Sequence, residues 1–307
     1  MQPLVSIGIP TYNRPKGLVN TLEYLLNQTY KNVEIIISDN CSDEKHNIEQ
    51  IISGYTAKYD CIRYYRQPEN FGPEKNFEFV LTKATGKYFM WAADDDEWNP
   101  KFIEELANLL EKDEQFGFAF CNYEFIFDLN YLSGVRDNWG QLSLARDLKS
   151  FEDILRLTIK EEVPADLIYG LFRREIILES FLFSKNNGLL RYFGSDKILN
   201  LVILSKTRFT LSENMLYKVH VNSESASVSM HKGITSELNY RKGLFKTVAK
   251  CKFNFFYKLK LLAIVSRAIL EKYNLIFKTR LVKFMVKVNL HKYYRSIKGI
   301  FIKENHH

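Results

Sequence analysis

Tyr88-Phe89-Met90-Trp91-Ala92-Ala93-Asp94-Asp95-Asp96-Glu97-Trp98-Asn99-Pro100 is the stretch from which the rest of the chain can be read. Six apolar residues run without a break into three consecutive carboxylates. Asn99-Pro100 then has the form of an N-cap followed by a proline in the first turn, opening a helix over Lys101–Glu111. The acids therefore stand where a buried strand leaves its sheet. Three adjacent carboxylates repel one another, and in a partly buried turn that repulsion calls for a cation. Hard oxygen ligands suit Mg2+ or Mn2+, which bind through one or two carboxylates together with substrate phosphates. A solvated acidic turn that caps the next helix is the other reading of the same residues.

Upstream, the strand-then-turn pattern repeats. Leu4–Pro10 reads as a buried strand, followed by the turn Thr11-Tyr12-Asn13-Arg14-Pro15 and a helix marked by Leu18, Leu22, Leu25 and Leu26. Val33–Ser38 is a second strand closing on Asp39, and Ile48, Ile51, Ile52 and Tyr55 mark the helix after it. Ile62–Tyr65 is a third strand, and Phe77, Val80, Leu81 and Ala84 belong to the helix before Tyr88–Ala93. Alternation of this regularity predicts right-handed βαβ units on a mostly parallel sheet. Such sheets bind ligands beyond the carboxyl ends of their strands. Thr11, Tyr12, Asp39 and Asp94–Asp96 all fall at those ends, so they are expected in one crevice.

No GxGxxG follows the first strand and no GxxxxGK[ST] occurs anywhere, which disfavours a dinucleotide oxidoreductase and a P-loop ATPase. A nucleotide here would be held by side chains and a metal. The longest uncharged span, Met1–Asn13, is too short and too polar for a membrane span or signal peptide, so no targeting segment is expected. Cys41, Cys61, Cys121 and Cys251 are widely spaced, which favours free thiols in a reducing cytoplasm over a zinc site. The net charge of +7 is unevenly divided: residues 1–239 carry −8 and residues 240–307 carry +15.

Five stretches in order, Val5–Arg14, Ile37–Asp43, Asn70–Asn76, Ala84–Phe89 and Asp94–Pro100, resemble the motifs of family 2 glycosyltransferases with the GT-A fold, over roughly residues 4–127. The resemblance implies an α/β, Rossmann-like mixed sheet flanked by helices. It implies that Pro10, Thr11 and Tyr12 line a nucleoside pocket, and that Asp39 accepts a hydrogen bond from the base or ribose. Asp94, Asp95 and Asp96 match the DxD element, with Asp94 near ribose or metal and Asp96 on the metal. Ala93 occupies the slot where many members carry the first acid, which leaves open which of the three touches the metal. Asp196, opening the apolar helix in Gly194-Ser195-Asp196-Lys197-Ile198-Leu199, is similar to the segment that supplies the general base of inverting members. Its residues also read simply as a helix start, with Ser195 or Asp196 as N-cap. Tyr217-Lys218-Val219-His220 resembles the stretch that ends many catalytic domains, and His220 would reach the metal or diphosphate.

Gly117–Tyr123, prolonged by Glu124–Phe127, and Ile168–Glu175 read as further strands, the latter running into a helix. Phe151–Lys160 reads as a helix, 128–150 as a polar loop and Ser223–Ser229 as a serine-rich loop over the site. From about Tyr240 the chain turns basic, with Leu261, Ile264, Val265, Ala268 and Ile269, then Leu281, Phe284, Met285 and Val288, at helical spacing among lysines and arginines. That pattern reads as a surface that meets an anionic membrane through 240–303, or as a helical cap or oligomer interface. No nucleic-acid-binding signature accompanies it.

The expectation is a catalytic domain over 1–235 and a basic helical extension over 236–307. The enzyme would be metal-dependent and inverting. It would move sugar from a UDP, dTDP or GDP donor to a glycan acceptor, lipid-linked, in surface polysaccharide assembly at the inner membrane face. A nucleotidylyltransferase and a vestigial membrane- or polyanion-binding module are the rivals.

Overall fold

The computed structural model describes residues 2–127, 141–142, 151–159, 165–191, 194–221 and 234–287. The expected loop 128–150, apart from 141–142, and the serine-rich segment Ser223–Ser229 lie outside them, as do the side chains expected at Leu281, Phe284, Met285 and Val288.

The first half is built from β1 (Val5–Thr11), α1 (Pro15–Leu26), β2 (Val33–Asp39), α2 (Ile48–Thr56), β3 (Ile62–Arg66), α3 (Pro73–Lys83) and β4 (Tyr88–Trp91). The four strands are parallel, in the order β3-β2-β1-β4, as the alternation predicts. β1 is buried on both faces, which is why it reads as a continuous apolar run rather than an alternating one. Leu18, Leu22 and Leu25 of α1 and Ile48 and Ile52 of α2 are buried against the sheet. The register sets Thr11 beside Asp39 and Gly8 beside Trp91, so the ends of β1, β2 and β4 open into the same crevice.

The second half comprises β5 (Glu97–Trp98), α4 (Phe102–Lys112), β6 (Phe116–Phe127), β7 (Gln141–Leu142), α5 (Phe151–Ile159), a 3-10 turn (Ala165–Tyr169), β8 (Leu171–Arg173), α6 (Arg174–Asn186), α7 (Ser195–Leu204), β9 (Arg208–Val221), α8 (Ile234–Lys250) and α9 (Phe255–Lys287). The sheet continues β4-β8-β6-β9-β5, with β7 on β6. β8 is antiparallel to both neighbours, and β6 and β9 run parallel. The sheet is therefore mixed but mostly parallel in its first half.

Three local expectations shift. α4 begins at Phe102, not Lys101; Asn99 instead accepts the Lys101 amide on its side chain (2.9 Å), an Asx turn one step earlier. The strand running into a helix expected over Ile168–Glu175 is found as β8 leading straight into α6, but it starts later: Ala165–Tyr169 coils first, and the chain enters the sheet only past Gly170. A Cβ on Gly170 would lie 2.2 Å from the Phe118 ring. α7 is capped by Gly194, at φ 69°, rather than by Ser195 or Asp196.

The change of composition near Tyr240 does not interrupt the packing. Tyr240, Leu244 and Val248 of α8 and Leu261 and Val265 of α9 belong to the same buried core as β1 and β4. At about 1.5–3 kcal/mol for each fully buried side chain, they fasten both helices to the sheet domain. The four cysteines are free, with Cys121 and Cys251 buried.

Glu34 of β2 ties the edge opposite the site. Its Oε1 accepts from the Ser6 hydroxyl (2.6 Å) and from the amide and hydroxyl of Thr85 (2.7 Å each), and Arg63 stands 3.3 Å from Oε2. Burial alone would raise this carboxyl, but Ser6, Thr85 and Arg63 outweigh it and hold it below the usual range. A depressed folded-state pKa stabilises the fold above the unfolded value of about 4.3 and loses that contribution as pH falls through the folded one. E34A is expected to destabilise by about 2–4 kcal/mol in urea unfolding at pH 7, through the buried donors it strands. E34Q is expected to flatten the loss of stability between about pH 5 and pH 3.

Candidate functional site

β1 ends at Thr11, and the turn after it is set by Asn13, at φ 58°. Its amide donates to Ser42 Oγ (2.8 Å) and its Oδ1 accepts the Asp43 amide (2.8 Å). The loop after β2 is thereby clasped to the loop after β1. Asn76 of α3 reaches under both strand ends. Its Nδ2 donates to the Thr11 and Ser38 carbonyls (3.3 and 3.1 Å), and its Oδ1 accepts from Ser38 Oγ (2.5 Å). Asn40 and Asn70 bond side chain to side chain (2.8 Å) and bring in the loop after β3. Pro10 sits half-buried beside Ser38, while Tyr12 is 42% exposed at the rim.

Asp39 is fully buried. Its carboxylate accepts from the Ser42 amide (2.9 Å), the Tyr64 hydroxyl (3.0 Å) and Arg66 Nη1 (3.1 Å). Burial and the neighbouring Asp39 charge push the Tyr64 hydroxyl up, so it remains a donor. The local sequence gave no sign of Tyr64 and Arg66 in this role, since both lie one strand away.

The three acids have three different environments. Asp94 is buried, accepting from the Thr11 hydroxyl (2.8 Å) and from Arg14 Nη1 (3.0 Å). Burial, helped by Asp95 and opposed by Arg14, pushes its carboxyl up to about 6. Asp95 also binds Arg14 Nη1, through Oδ2 (2.8 Å). Burial raises it while Arg14 opposes, and its other oxygen has no partner among the described residues. Asp96 is buried beneath them, accepting from the Tyr217 hydroxyl and from the His220 amide (3.0 Å). The His220 ring is held 2.8 Å from Glu97 Oε1, and Lys218 stands 3.6 Å from the other Glu97 oxygen. Burial would raise Glu97, but His220 and Lys218 outweigh it and hold it low.

α1 presses against the outer side of this turn. A Cβ on Gly17 would lie 2.0 Å from the Asp94 carbonyl, Thr21 Oγ1 donates to the Ala93 carbonyl (3.0 Å), and Gln28 bonds the Asn99 carbonyl and the Ile103 amide. Thr11, Asp94, Asp95, Asp96 and His220 are thus brought together, with Asp39 one strand over. Asp196 lies in the first turn of α7, where its carboxylate accepts the Lys197 amide (2.8 Å). Burial raises its pKa, which makes it a stronger base than an exposed aspartate. Arg14 and Tyr217 are the neighbours that spacing did not assign, while Glu97, the alternative to Asp196 as the base, is bonded to the His220 ring. Arg14 and Tyr217 stood inside quoted motifs, and only the fold supplies their partners.

Among the described residues no group of three or more His, Cys, Asp or Glu is gathered to hold a metal. A magnesium-type ion needs fewer protein ligands, one or two carboxylates with phosphate oxygens completing the shell. The second oxygen of Asp95 is a hard carboxylate donor of the kind that, with phosphate oxygens, fits Mn2+ or Mg2+, and the His220 ring lies near that carboxyl while bonded to Glu97.

Comparison with known proteins agrees with this geometry. The family described as Glycosyl transferase family 2 matches residues 6–179. An uncharacterized glycosyltransferase of Rickettsia bellii (strain RML369-C) is 36% identical over 110 residues, covering 36% of this chain and 15% of that one. The putative colanic acid biosynthesis glycosyl transferase WcaA of Escherichia coli (strain K12) is 33% identical over 98 residues, covering 32% and 34%. The match spans well under half the length of either relative. Among solved structures, S. aureus TarS 1-349 in complex with UDP-GlcNAc has a TM-score of 0.63 at 17% identity, covering 86% of this chain and 72% of that one. Mannosyltransferase PcManGT from Pyrobaculum calidifontis, in complex with GDP-Man and Mn2+, has a TM-score of 0.55 at 14% identity, covering 96% and 83%. These last two are likenesses of fold.

The contact of Gly17 with the Asp94 carbonyl gives a direct test of how tightly α1 sets the turn. G17A is expected to lower stability by about 3 kcal/mol or more in denaturant unfolding, although alanine is the better helix former by about 1 kcal/mol.

Proposed function

The chain belongs to glycosyl transferase family 2, and from that membership we propose that it moves a sugar from a nucleoside-diphosphate donor of the UDP, dTDP or GDP type to a glycan acceptor. Transfer proceeds with inversion and depends on Mn2+ or Mg2+. The observation that carries the reading is the meeting of Thr11, Asp94, Asp95 and Asp96 at the carboxyl edge of a parallel sheet, with an oxygen of Asp95 open. The nucleotide-sugar complexes of TarS and PcManGT, similar in fold, support a donor of this class.

In this reading Pro10, Thr11 and Tyr12 line the nucleoside pocket and Asp39 fixes the loop that receives the base. Asp95, with His220, holds the cation that neutralises the leaving diphosphate when bound. Asp96 braces His220 from below through its amide. Asp196 takes the proton of the acceptor hydroxyl as that oxygen attacks the anomeric carbon. The bond from that carbon to the diphosphate oxygen breaks, and the electron pair leaves with the nucleoside diphosphate. Burial raises the Asp196 carboxyl above its ordinary range, in the direction that strengthens a base.

The acceptor is a lipid-carried glycan of surface polysaccharide, a capsule or O-antigen type, met at the inner membrane face. The name of the relative WcaA supports the pathway class. The lipid surface is supported by α9. Phe255 and Phe256, at its start, are 69% and 81% exposed, with Leu259 and Leu270 exposed further along. Residues 240–274 carry nine Lys and Arg against one Glu. Among the described residues no helix is long and apolar enough to cross a membrane, so contact would be from the side.

Thermal-shift titration with UDP, dTDP, GDP and CDP in Mn2+ is expected to give one strong stabilisation that D95A abolishes. D196N is expected to keep donor binding and lose about a hundred- to ten-thousand-fold in kcat, measured as transfer or donor hydrolysis. A chain that neither binds any nucleotide with Mn2+ nor turns one over would overturn the reading in favour of a vestigial module. The double variant F255S/F256S is expected to weaken sedimentation with phosphatidylglycerol vesicles about tenfold or more. Unchanged sedimentation would remove the membrane from the account.

A further inference from the structure

Arg14 lies in the cap position just ahead of α1, where Pro15 starts the helix. One of its nitrogens, Nη1, bonds both Asp94 Oδ1 (3.0 Å) and Asp95 Oδ2 (2.8 Å). Asp94 is closed on its other oxygen by Thr11, and Asp96 is held by Tyr217 and His220. The Arg14 side chain is 28% exposed, so solvent reaches it. It therefore stands on the one acid of the turn that also presents an oxygen outward, and the positive charge that a divalent ion would bring is already there in part.

We propose that Arg14 is an internal counter-cation. It holds the acidic turn together in the empty protein, competes with the divalent ion for Asp95, and passes to the donor's diphosphate when ion and nucleotide enter together. The proposal rests on the donor and metal reading given above. The charge count favours the exchange. Two carboxylates share one guanidinium, with Asp96 the next residue, so the turn is short of positive charge that a divalent ion would supply. The arriving diphosphate then restores negative charge beside a guanidinium freed from Asp95, and the planar guanidinium fork binds phosphate as readily as carboxylate. The ion and the nucleotide should therefore bind cooperatively, the ion alone binding weakly because the Arg14 charge already stands on the same carboxylate.

The test uses the full chain stripped with EDTA and titrated calorimetrically with MnCl2, alone and with saturating UDP or GDP. R14Q is expected to bind Mn2+ alone about tenfold more tightly than wild type, and to lose most of the further gain that nucleotide brings. It should also melt lower than wild type in EDTA and recover more on adding Mn2+. R14K keeps the charge on a shorter side chain without the planar fork, and is expected to fall between the two. A purely structural Arg14 would leave Mn2+ affinity unchanged or weaken it, and folded R14Q behaving so overturns the proposal. Should R14Q fail to fold, R14K binding Mn2+ no more tightly than wild type overturns it equally. If wild type and variants alike bind no Mn2+ with either nucleotide, the metal reading of the preceding subsection falls as well.

Discussion

Carboxylates in consecutive positions at the mouth of a sheet repel one another, and their burial makes that repulsion more costly than it would be in water. Much of what surrounds the crevice answers it. Arg14 supplies charge to Asp94 and Asp95, Thr11 and Tyr217 supply hydroxyl donors, and the His220 amide supplies a fourth donor. The end of β1 and the cap of α1 are neighbours in sequence, and the end of β9 lies far from both. The acidic turn is thus where the parallel half of the sheet and the returning strand β9 are joined chemically as well as by pairing.

That arrangement follows from topology. β1 lies between β2 and β4, so the loops after all three strands meet above it, and Asn76 and Asn13 clasp them with side-chain bonds to backbone. β8, later in the chain than β6, is inserted antiparallel between β4 and β6, and β9 lies parallel to β6 beyond it. β9 then runs back far enough to pair with the two-residue β5, which begins one position after Asp96. This pairing places Tyr217 and His220 against Asp96 while Lys218 and His220 both reach Glu97.

The parallel half was legible because its signals are local. Continuous apolar runs such as Ile35–Ile37 and helix faces such as Leu18, Leu22 and Leu25 carry their own period, and the turn residues follow at once. The location of the acids at strand ends came from the same signal. Their differing duties did not, because those are set by partners seventy to more than a hundred residues away. Nothing near Asp96 in the chain says that Tyr217 will cover it, and nothing near Asp95 says that its second oxygen will stay open. The strand expected over Ile168–Glu175 failed in part for the same reason: the ring of Phe118, on another strand, decides where the backbone can enter the sheet.

The basic C-terminal stretch illustrates how composition and packing can part company. A shift from net negative to strongly positive invites a boundary near residue 240, yet Tyr240 is buried and its hydroxyl donates to the Thr158 carbonyl (3.2 Å). A Cβ on Gly194 would come 2.9 Å from the Tyr240 ring, so α8 shapes the bend from which Asp196 emerges. Lys260 of α9 pairs with Glu152 of α5 (2.7 Å), and the Phe151 and Phe253 rings lie 4.9 Å apart, fastening the next helix to the same wall. The buried face of α9, with Leu261, Val265 and Ala268, is turned about half a helical revolution from the exposed face with Phe256, Leu259 and Leu270. One helix thus serves the core and presents a separate apolar stripe outward. Removing residues 240–307 would strip the support of Asp196 together with any surface that meets lipid. For that reason the packing of α8 and α9 and any contact of their outer face are separable by changing exposed side chains rather than by truncation.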